Sequence, residues 1–389
     1  MNMNYDALVV GAGYAGAVCA RCLAEGGKRV LVLERRDHIG GNAYDCLDQA
    51  GVLIHQYGPH IFHTNDRRVF QFLSRFTQWR DYQHRVIANI PDNAGGRMTY
   101  PVPFNLTSLE TAFGPKEGKR LGDKLVEQYG AEQKVTILAL RQNPDPEIAA
   151  LADYVYEHVF VHYTMKQWGQ KPEEIDPNTT ARVPVFLSRD DRYFQDVFQG
   201  MPTEGYTPMF EKMLDHPNIT VELGAEALKR LDVSGETLTV DGAPFAGEVI
   251  YTGQADELFA FQFGRLPYRT LTFDFETLPQ DDFQGYGTVN YTVDQDFTRI
   301  TEFKHLTGQV KPGVTTIVRE YSHAYTGQEG QIPYYAIINP ENNALYGQYK
   351  ALADRFPNLH LLGRLAEYKY YNMDAIAARA LDLAGQLLK

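Results

Sequence analysis

The chain has 389 residues, 44% of them hydrophobic and 12% aromatic, with a formal net charge of −12. A domain takes roughly 100–200 residues, so two or three domains with well-filled cores are expected. The acidic balance excludes a nucleic-acid surface, which needs a basic stripe, and no low-complexity tract or internal repeat argues for disorder or a solenoid. Cys19, Cys22 and Cys46 make no disulfide framework, which fits a reducing cytoplasm. The apolar run 7–20 lacks the basic flank of a signal peptide, and no segment is long enough to span a bilayer.

The first element is a strand over 5–10, followed by Gly11-Ala12-Gly13-Tyr14-Ala15-Gly16, a helix, and a second strand ending in Glu34. This is a complete dinucleotide-binding unit. Gly11 permits the tight turn, Gly13 admits a pyrophosphate to the backbone, and Gly16 lets helix and sheet pack closely. The pyrophosphate is expected at the helix N-terminus, and Glu34 is expected to accept from ribose hydroxyls. The following Arg35-Arg36-Asp37-His38-Ile39-Gly40-Gly41-Asn42 resembles the glutathione-reductase-like FAD family, so the cofactor is read as FAD.

Farther along, 106–167 is rich in helix formers, with helical periods over 121–129 and 148–163. The stretch 169–180 has two prolines and no period, which suits a loop. Short strands are expected over 219–223, 238–241 and 248–253, the last ending in Thr252-Gly253 beneath a nucleotide. Alternating Thr, Tyr, Phe and Val over 266–321 predict antiparallel strands. A strand then runs into a Gly363-Arg364 corner whose guanidinium can reach a phosphate, and a last helix spans about 373–388. His60 and His63 form a His-x-x-His pair, but no third ligand completes a recognisable metal set, so no metal is expected.

Several segments resemble the bacterial UDP-galactopyranose mutase family in combination. They are Gly40-Gly41-Asn42-Ala43-Tyr44, Tyr57-Gly58-Pro59-His60-Ile61-Phe62-His63, Tyr163-Thr164-Met165-Lys166-Gln167-Trp168-Gly169, Arg182-Val183-Pro184-Val185, Tyr193-Phe194, and the run from Gly363 through Tyr370 and Asn372 to Met373. The resemblance implies an α/β fold, with an FAD-binding Rossmann-like domain, an inserted helical subdomain and an antiparallel β-sheet subdomain. The expected bounds are 1–78, 203–254 and 345–389 for the first, 105–180 for the second with its substrate loop, and 79–104, 181–202 and 255–344 for the third.

The activity implied is conversion of UDP-galactopyranose to UDP-galactofuranose by reduced FAD, with no net redox change. Flavin N5 attacks the anomeric carbon, UDP leaves, the opened sugar recloses through its 4-hydroxyl, and UDP returns. By position, Arg182 and Arg299 match the family's diphosphate clamp. Phe160, Tyr163 and Thr164 match the uracil platform, with Trp168 beside the mobile loop. Tyr193, Phe194, Asn290, Tyr335, Tyr370 and Asn372 match residues around diphosphate and sugar. His60 matches the histidine beside the isoalloxazine. Ile61, Tyr370, Asn372 and Met373 join Gly11, Gly13, Tyr14, Ala15, Gly16, Glu34, Arg35, Gly41, Asn42, Thr252, Gly363 and Arg364 as cofactor-binding residues.

The resemblance also implies a loop over 169–182 that closes on the UDP-sugar, a homo-oligomer, and no nucleic-acid or membrane partner. The chain departs from the family pattern at Phe186, where relatives often carry Arg, and at Asn372, where they often carry Asp. A flavin amine oxidase and a non-catalytic binder resembling the Rab dissociation-inhibitor family are the alternatives from other classes. The paired arginines favour the mutase over both.

Overall fold

The computed structural model describes residues 5–92, 95–169 and 184–389. The strands Ala7–Val10 and Val30–Glu34 are nearly continuous runs of buried aliphatic residues, as expected of strands covered on both faces. They sit at the centre of a five-stranded parallel sheet in the order Ile219–Leu223, Val30–Glu34, Ala7–Val10, Glu248–Tyr251, Leu359–Leu361. One face is covered by the helices Tyr14–Glu25, Tyr206–Leu214 and Met373–Leu387. The other face is covered by the segment 227–245 and the helix Pro340–Ala353. From Ala7–Val10 the chain moves to one side of the sheet for two strands and returns on the other side for Glu248–Tyr251. The reversal opens a crevice at the carboxyl ends of those two strands, where nucleotides bind in such sheets.

The segment 238–241 does not join this sheet. Thr239–Val240 pairs with Leu231–Asp232 and Ala243–Pro244 in a separate antiparallel sheet. Asp241 and Gly242 both have positive φ, 51° and 74°, and such a turn folds a strand back onto an antiparallel neighbour.

A second sheet has seven strands, in the order Pro333–Ala336, Tyr268–Leu278, Thr315–Ala324, Arg299–Glu302, Thr288–Tyr291, Val86–Pro91, Arg97–Val102. The layer was expected to be antiparallel; five of its six neighbouring pairs are, but Thr288–Tyr291 and Val86–Pro91 run parallel. They come from distant parts of the chain with no hairpin between them, so no turn dictates their direction.

Beyond this sheet lies a helical layer of Leu106–Phe113, Pro115–Tyr129, Ile137–Arg141, Pro146–Val155 and Val161–Trp168. The helix expected over 121–129 starts earlier, at Pro115, a residue suited to a first helical turn. The helix expected over 148–163 continues to Trp168 through a π turn, Tyr156–Phe160. A π turn shifts every side chain after it around the axis and often marks a functional site. Among the described residues no helix is long and apolar enough to cross a membrane. All three cysteines are free.

Candidate active site

The crevice predicted by the sheet order is a cleft lined by Gly11, Gly13, Tyr14, Ala15, Glu34, Arg35, Gly41, Asn42, Thr252, Gly363 and Arg364, among others. Gly11 has φ +100°, and a Cβ there would lie 2.2 Å from Thr252 Oγ1, which donates to the Val10 carbonyl at 2.7 Å. Gly13 and Gly41 approach so closely that a Cβ on Gly41 would lie 2.9 Å from Gly13 Cα, whereas one on Gly13 meets no protein atom nearer than 3.5 Å. Gly13 therefore faces open cleft. Gly16 lies behind it, where a Cβ would sit 1.9 Å from the Gly11 carbonyl oxygen, so its role is close packing of helix on strand.

Glu34 accepts from Ala12 N at 2.8 Å and Arg36 N at 2.9 Å, and each oxygen keeps a lone pair for a further donor. Arg35 lies 3.5 Å from Glu257. Its neighbour Arg36, not singled out from the sequence, is the more pointed group. Its Nη2 donates to Asn42 Oδ1 at 2.8 Å, its guanidinium stacks 4.2 Å from the Tyr57 ring centroid, and its buried Nη1 has no partner among the described residues. Tyr14 Oη, packed against Tyr206 and Phe210, is likewise buried with no partner among the described residues. A buried donor without an acceptor is costly. A cradle of open glycine backbone with the Arg36 guanidinium beside it fits an anionic, oxygen-rich dinucleotide such as FAD.

A second cleft opens from the first. It is lined by Tyr57, His60, Ile61, His63, His84, Lys134, Tyr163, Tyr193, Phe194, Asn290, Arg299, Tyr335, Tyr370 and Asn372, among others. The two share Asn42, His60, Arg364 and Met373, so these four residues mark where they meet. Both clefts are open to solvent.

At the junction, the His60 ring sits 2.8 Å from the Gly58 carbonyl through Nδ1, which makes Nδ1 the protonated nitrogen and leaves Nε2 as an acceptor. Burial, with His55 and the arginines nearby, lowers its pKa to about 3, so the ring is neutral at physiological pH. The backbone of His60 is also held, its N–H donating to His55 Nδ1 at 3.0 Å and its carbonyl accepting from Tyr206 Oη at 3.1 Å. Arg364 donates through Nε to the Tyr371 carbonyl at 2.7 Å and stacks 4.4 Å from the Tyr370 ring centroid. The helix Met373–Leu387 begins here. The Asn372 side chain does not cap it, so the positive helix end is open to the junction.

Within the second cleft, Arg299 donates from Nε and Nη2 to Glu320 Oε2 at 3.0 and 2.7 Å. Glu320 is only 1% exposed, which holds Arg299 charged and strengthens its field in a low-dielectric wall. Tyr335 and Tyr370 stack with centroids 5.9 Å apart. His63 stacks on Phe194 with centroids 3.6 Å apart and meets Asp196 at 3.1 Å. That contact to His63 pulls the Asp196 pKa down.

Of the residues expected from the sequence, Tyr163, Tyr193, Phe194, Asn290, Arg299, Tyr335, Tyr370 and Asn372 come together in this one cleft. Ile61, Tyr370 and Asn372, expected at the cofactor, line the second cleft and not the first, because they lie beyond the junction residues. Phe160 and Thr164 line neither; they are buried at 5% and 7% exposure behind the wall. Arg182, the Trp168 side chain and the loop expected to close lie outside the described residues. His84, Tyr57 and Lys134 were missed. The sequence offered no signal for His84 or Lys134, which are placed by distant segments, His84 by Tyr193 and Phe194 and Lys134 by the strand Val185–Phe186.

Comparison with known proteins follows the same lines. A family model described as UDP-galactopyranose mutase matches residues 158–370, and one for an NAD(P)-binding Rossmann-like domain matches residues 9–76. A UDP-galactopyranose mutase of Mycoplasma pneumoniae is 37% identical over 100% of this chain and 98% of its own. A probable UDP-galactopyranose mutase of Klebsiella pneumoniae is 36% identical, covering 99% and 95%. A dTDP-fucopyranose mutase of Escherichia coli is 35% identical, covering 98% of each. A crystal structure of reduced UDP-galactopyranose mutase superposes with a TM-score of 0.72 at 16% identity, over 99% of this chain and 94% of that one.

Proposed function

The chain belongs to the UDP-galactopyranose mutase family of flavin-dependent isomerases, and from that premise we propose that it interconverts UDP-galactopyranose and UDP-galactofuranose without net redox change. The observation that carries this reading is the meeting of a dinucleotide cleft with a cationic, aromatic cleft at Asn42, His60, Arg364 and Met373. Bound FAD, when reduced, supplies the nucleophile, N5, toward the anomeric carbon of the sugar.

The remaining work falls to the chain's own side chains. The backbone around Gly11, Gly13, Ala15 and Gly41, with Glu34, Arg35, Arg36, Thr252, Gly363 and Arg364, holds the cofactor. Tyr163 supports the nucleobase. Arg299 uses two of its nitrogens on Glu320 and turns the remaining Nη1 to the diphosphate, with Arg182 as the expected second cation. A departing diphosphate carries growing negative charge, which charge-assisted donors stabilise more than they stabilise the intact ester. His60 offers a neutral Nε2 at the junction, an acceptor that can hold a hydroxyl there. The open helix end at Met373 favours negative charge nearby. Tyr193, Phe194, Tyr335 and Tyr370 wall the sugar and displace water from it.

The experiment is an anaerobic chromatographic assay of the purified protein, oxidised and after dithionite, on UDP-galactopyranose and separately on dTDP-fucopyranose. The furanose of UDP-galactose is expected only after reduction. Absence of that product from reduced, FAD-loaded protein overturns the reading, and turnover of the dTDP-sugar alone reassigns the substrate.

A further inference from the structure

The helix Val161–Trp168 carries Tyr163, and the hairpin of Thr288–Tyr291 and Arg299–Glu302 carries Asn290 and Arg299 as a directly opposed pair. The turn of that hairpin is fastened to the helix by polar ties. Lys166 lies three residues beyond Tyr163, on the same side of the helix. Its Nζ donates to the carbonyl oxygens of Gln295 at 3.0 Å and Phe297 at 3.3 Å, and also to that of Tyr291. A second tie joins the turn to the preceding π segment, where Thr292 Oγ1 donates to the His158 carbonyl at 2.6 Å. At the other end of the helix, Arg269 donates to the carbonyls of Lys166 at 3.1 Å and Gln167 at 3.3 Å, a favourable place for a cation.

A lysine whose three donors all go to carbonyls of one turn acts as a fixed strut between two elements. Here those elements are the ones that carry Tyr163 and Arg299 into the same cleft.

We propose that Lys166 is a positioning residue that sets the distance between Tyr163 and Arg299, and hence the span over which a nucleoside diphosphate is held at both its base and its diphosphate. The proposal rests on the reading of the second cleft given above. A ligand engaged at both ends gains from a fixed spacing, because its second contact forms without a further loss of freedom. A ligand engaged at one end gains nothing from it.

The test is calorimetric binding of UDP, uridine and pyrophosphate to FAD-loaded wild type, Lys166→Met, Lys166→Arg and Thr292→Val. Lys166→Met is expected to weaken UDP by about tenfold while changing uridine and pyrophosphate by less than about twofold, and to raise KM with kcat nearly kept. Lys166→Arg restores much of the UDP affinity, and Thr292→Val, which removes the second tie, repeats the pattern in milder form if Lys166→Met does not fold. Unchanged UDP binding in the folded variants overturns the proposal, as does an equal weakening of all three ligands, which would mean a merely loosened helix. If wild type itself binds none of the three, the reading of the cleft fails first and takes the proposal with it.

Discussion

Arg299 and Glu320 show how one ion pair serves both fold and site. Glu320 gives Oε2 to Arg299, and its other oxygen is buried with no partner among the described residues. Removing the arginine leaves a buried carboxylate uncompensated, which costs about 3–5 kcal/mol. Arg299→Ala is therefore expected to lower both Tm and turnover. The double variant Arg299→Ala/Glu320→Gln separates the two effects, since it removes the stranded charge and should recover most of the Tm while activity stays low. Recovery of activity together with Tm would exclude a direct role for Arg299 at the diphosphate. For Arg182→Ala, which the family match pairs with it, a loss on the order of 2–5 kcal/mol in kcat/KM is expected with FAD content unchanged, read from steady-state kinetics and flavin absorbance.

At the scale of elements, the glycine turn divides into residues that shape the protein and one that leaves room for the ligand. An added Cβ at Gly16 collides with the Gly11 carbonyl, whereas at Gly13 it meets only ordinary contacts. Gly16→Ala is accordingly expected to lose folded protein. Gly13→Ala should give a folded protein with little FAD, measured as the ratio of flavin to protein absorbance beside a normal far-ultraviolet dichroism spectrum. Full flavin occupancy in Gly13→Ala would mean that the pyrophosphate lies elsewhere. The helix Met373–Leu387 belongs to the same logic. Its buried residues Ile376, Ala377, Ala380, Leu383 and Ala384 lie on a helix that packs chiefly against the helix Tyr14–Glu25, and that packing delivers its open N-terminus to the junction of the two clefts.

For the molecule as a whole, the buried imidazoles set its acid limit. His55 and His84 are 1% and 4% exposed, and burial lowers their pKa values from 6.5 to about 4 and about 3. The unfolded chain takes up these protons first, so the native state is fully stable above pH 6.5 and loses stability as pH falls toward the native values. Each site contributes a slope of about 1.4 kcal/mol per pH unit in that window. Denaturant titrations between pH 6.5 and 4.5 should show it, and His84→Gln should reduce the slope by one proton. A slope unchanged in that variant would mean that His84 is already charged in the native state. Turnover is also a property of the whole assembly of clefts: after a single reduction under strict anaerobiosis, product should exceed one equivalent per flavin many times over. Product that stops at one equivalent would exclude a reaction without net redox change.

Much of this protein was written locally. The strand, glycines, helix and acid from Ala7 to Glu34 form a unit whose chemistry lies within one stretch of chain, so the dinucleotide cleft was legible from spacing alone. The family resemblance likewise named Tyr163 and Tyr370 by their local motifs, and Arg299 and Tyr335 by position. What the linear order could not decide was which groups from separate elements meet. The strand over 238–241 pairs away from the main sheet because a turn of two residues with positive φ gives it a nearer partner. Arg36, not Arg35, keeps the unpartnered buried nitrogen, since alternation at a strand end sends neighbouring side chains to opposite sides. His84 acquires its place only when Tyr193 and Phe194 pack on it, Lys134 when its strand pairs with Val185–Phe186, and the strut at Lys166 when its helix meets the hairpin turn. Short-range patterns encode backbone conformation and close packing, but a site assembled across layers depends on long-range contacts, and these exist only in the folded chain.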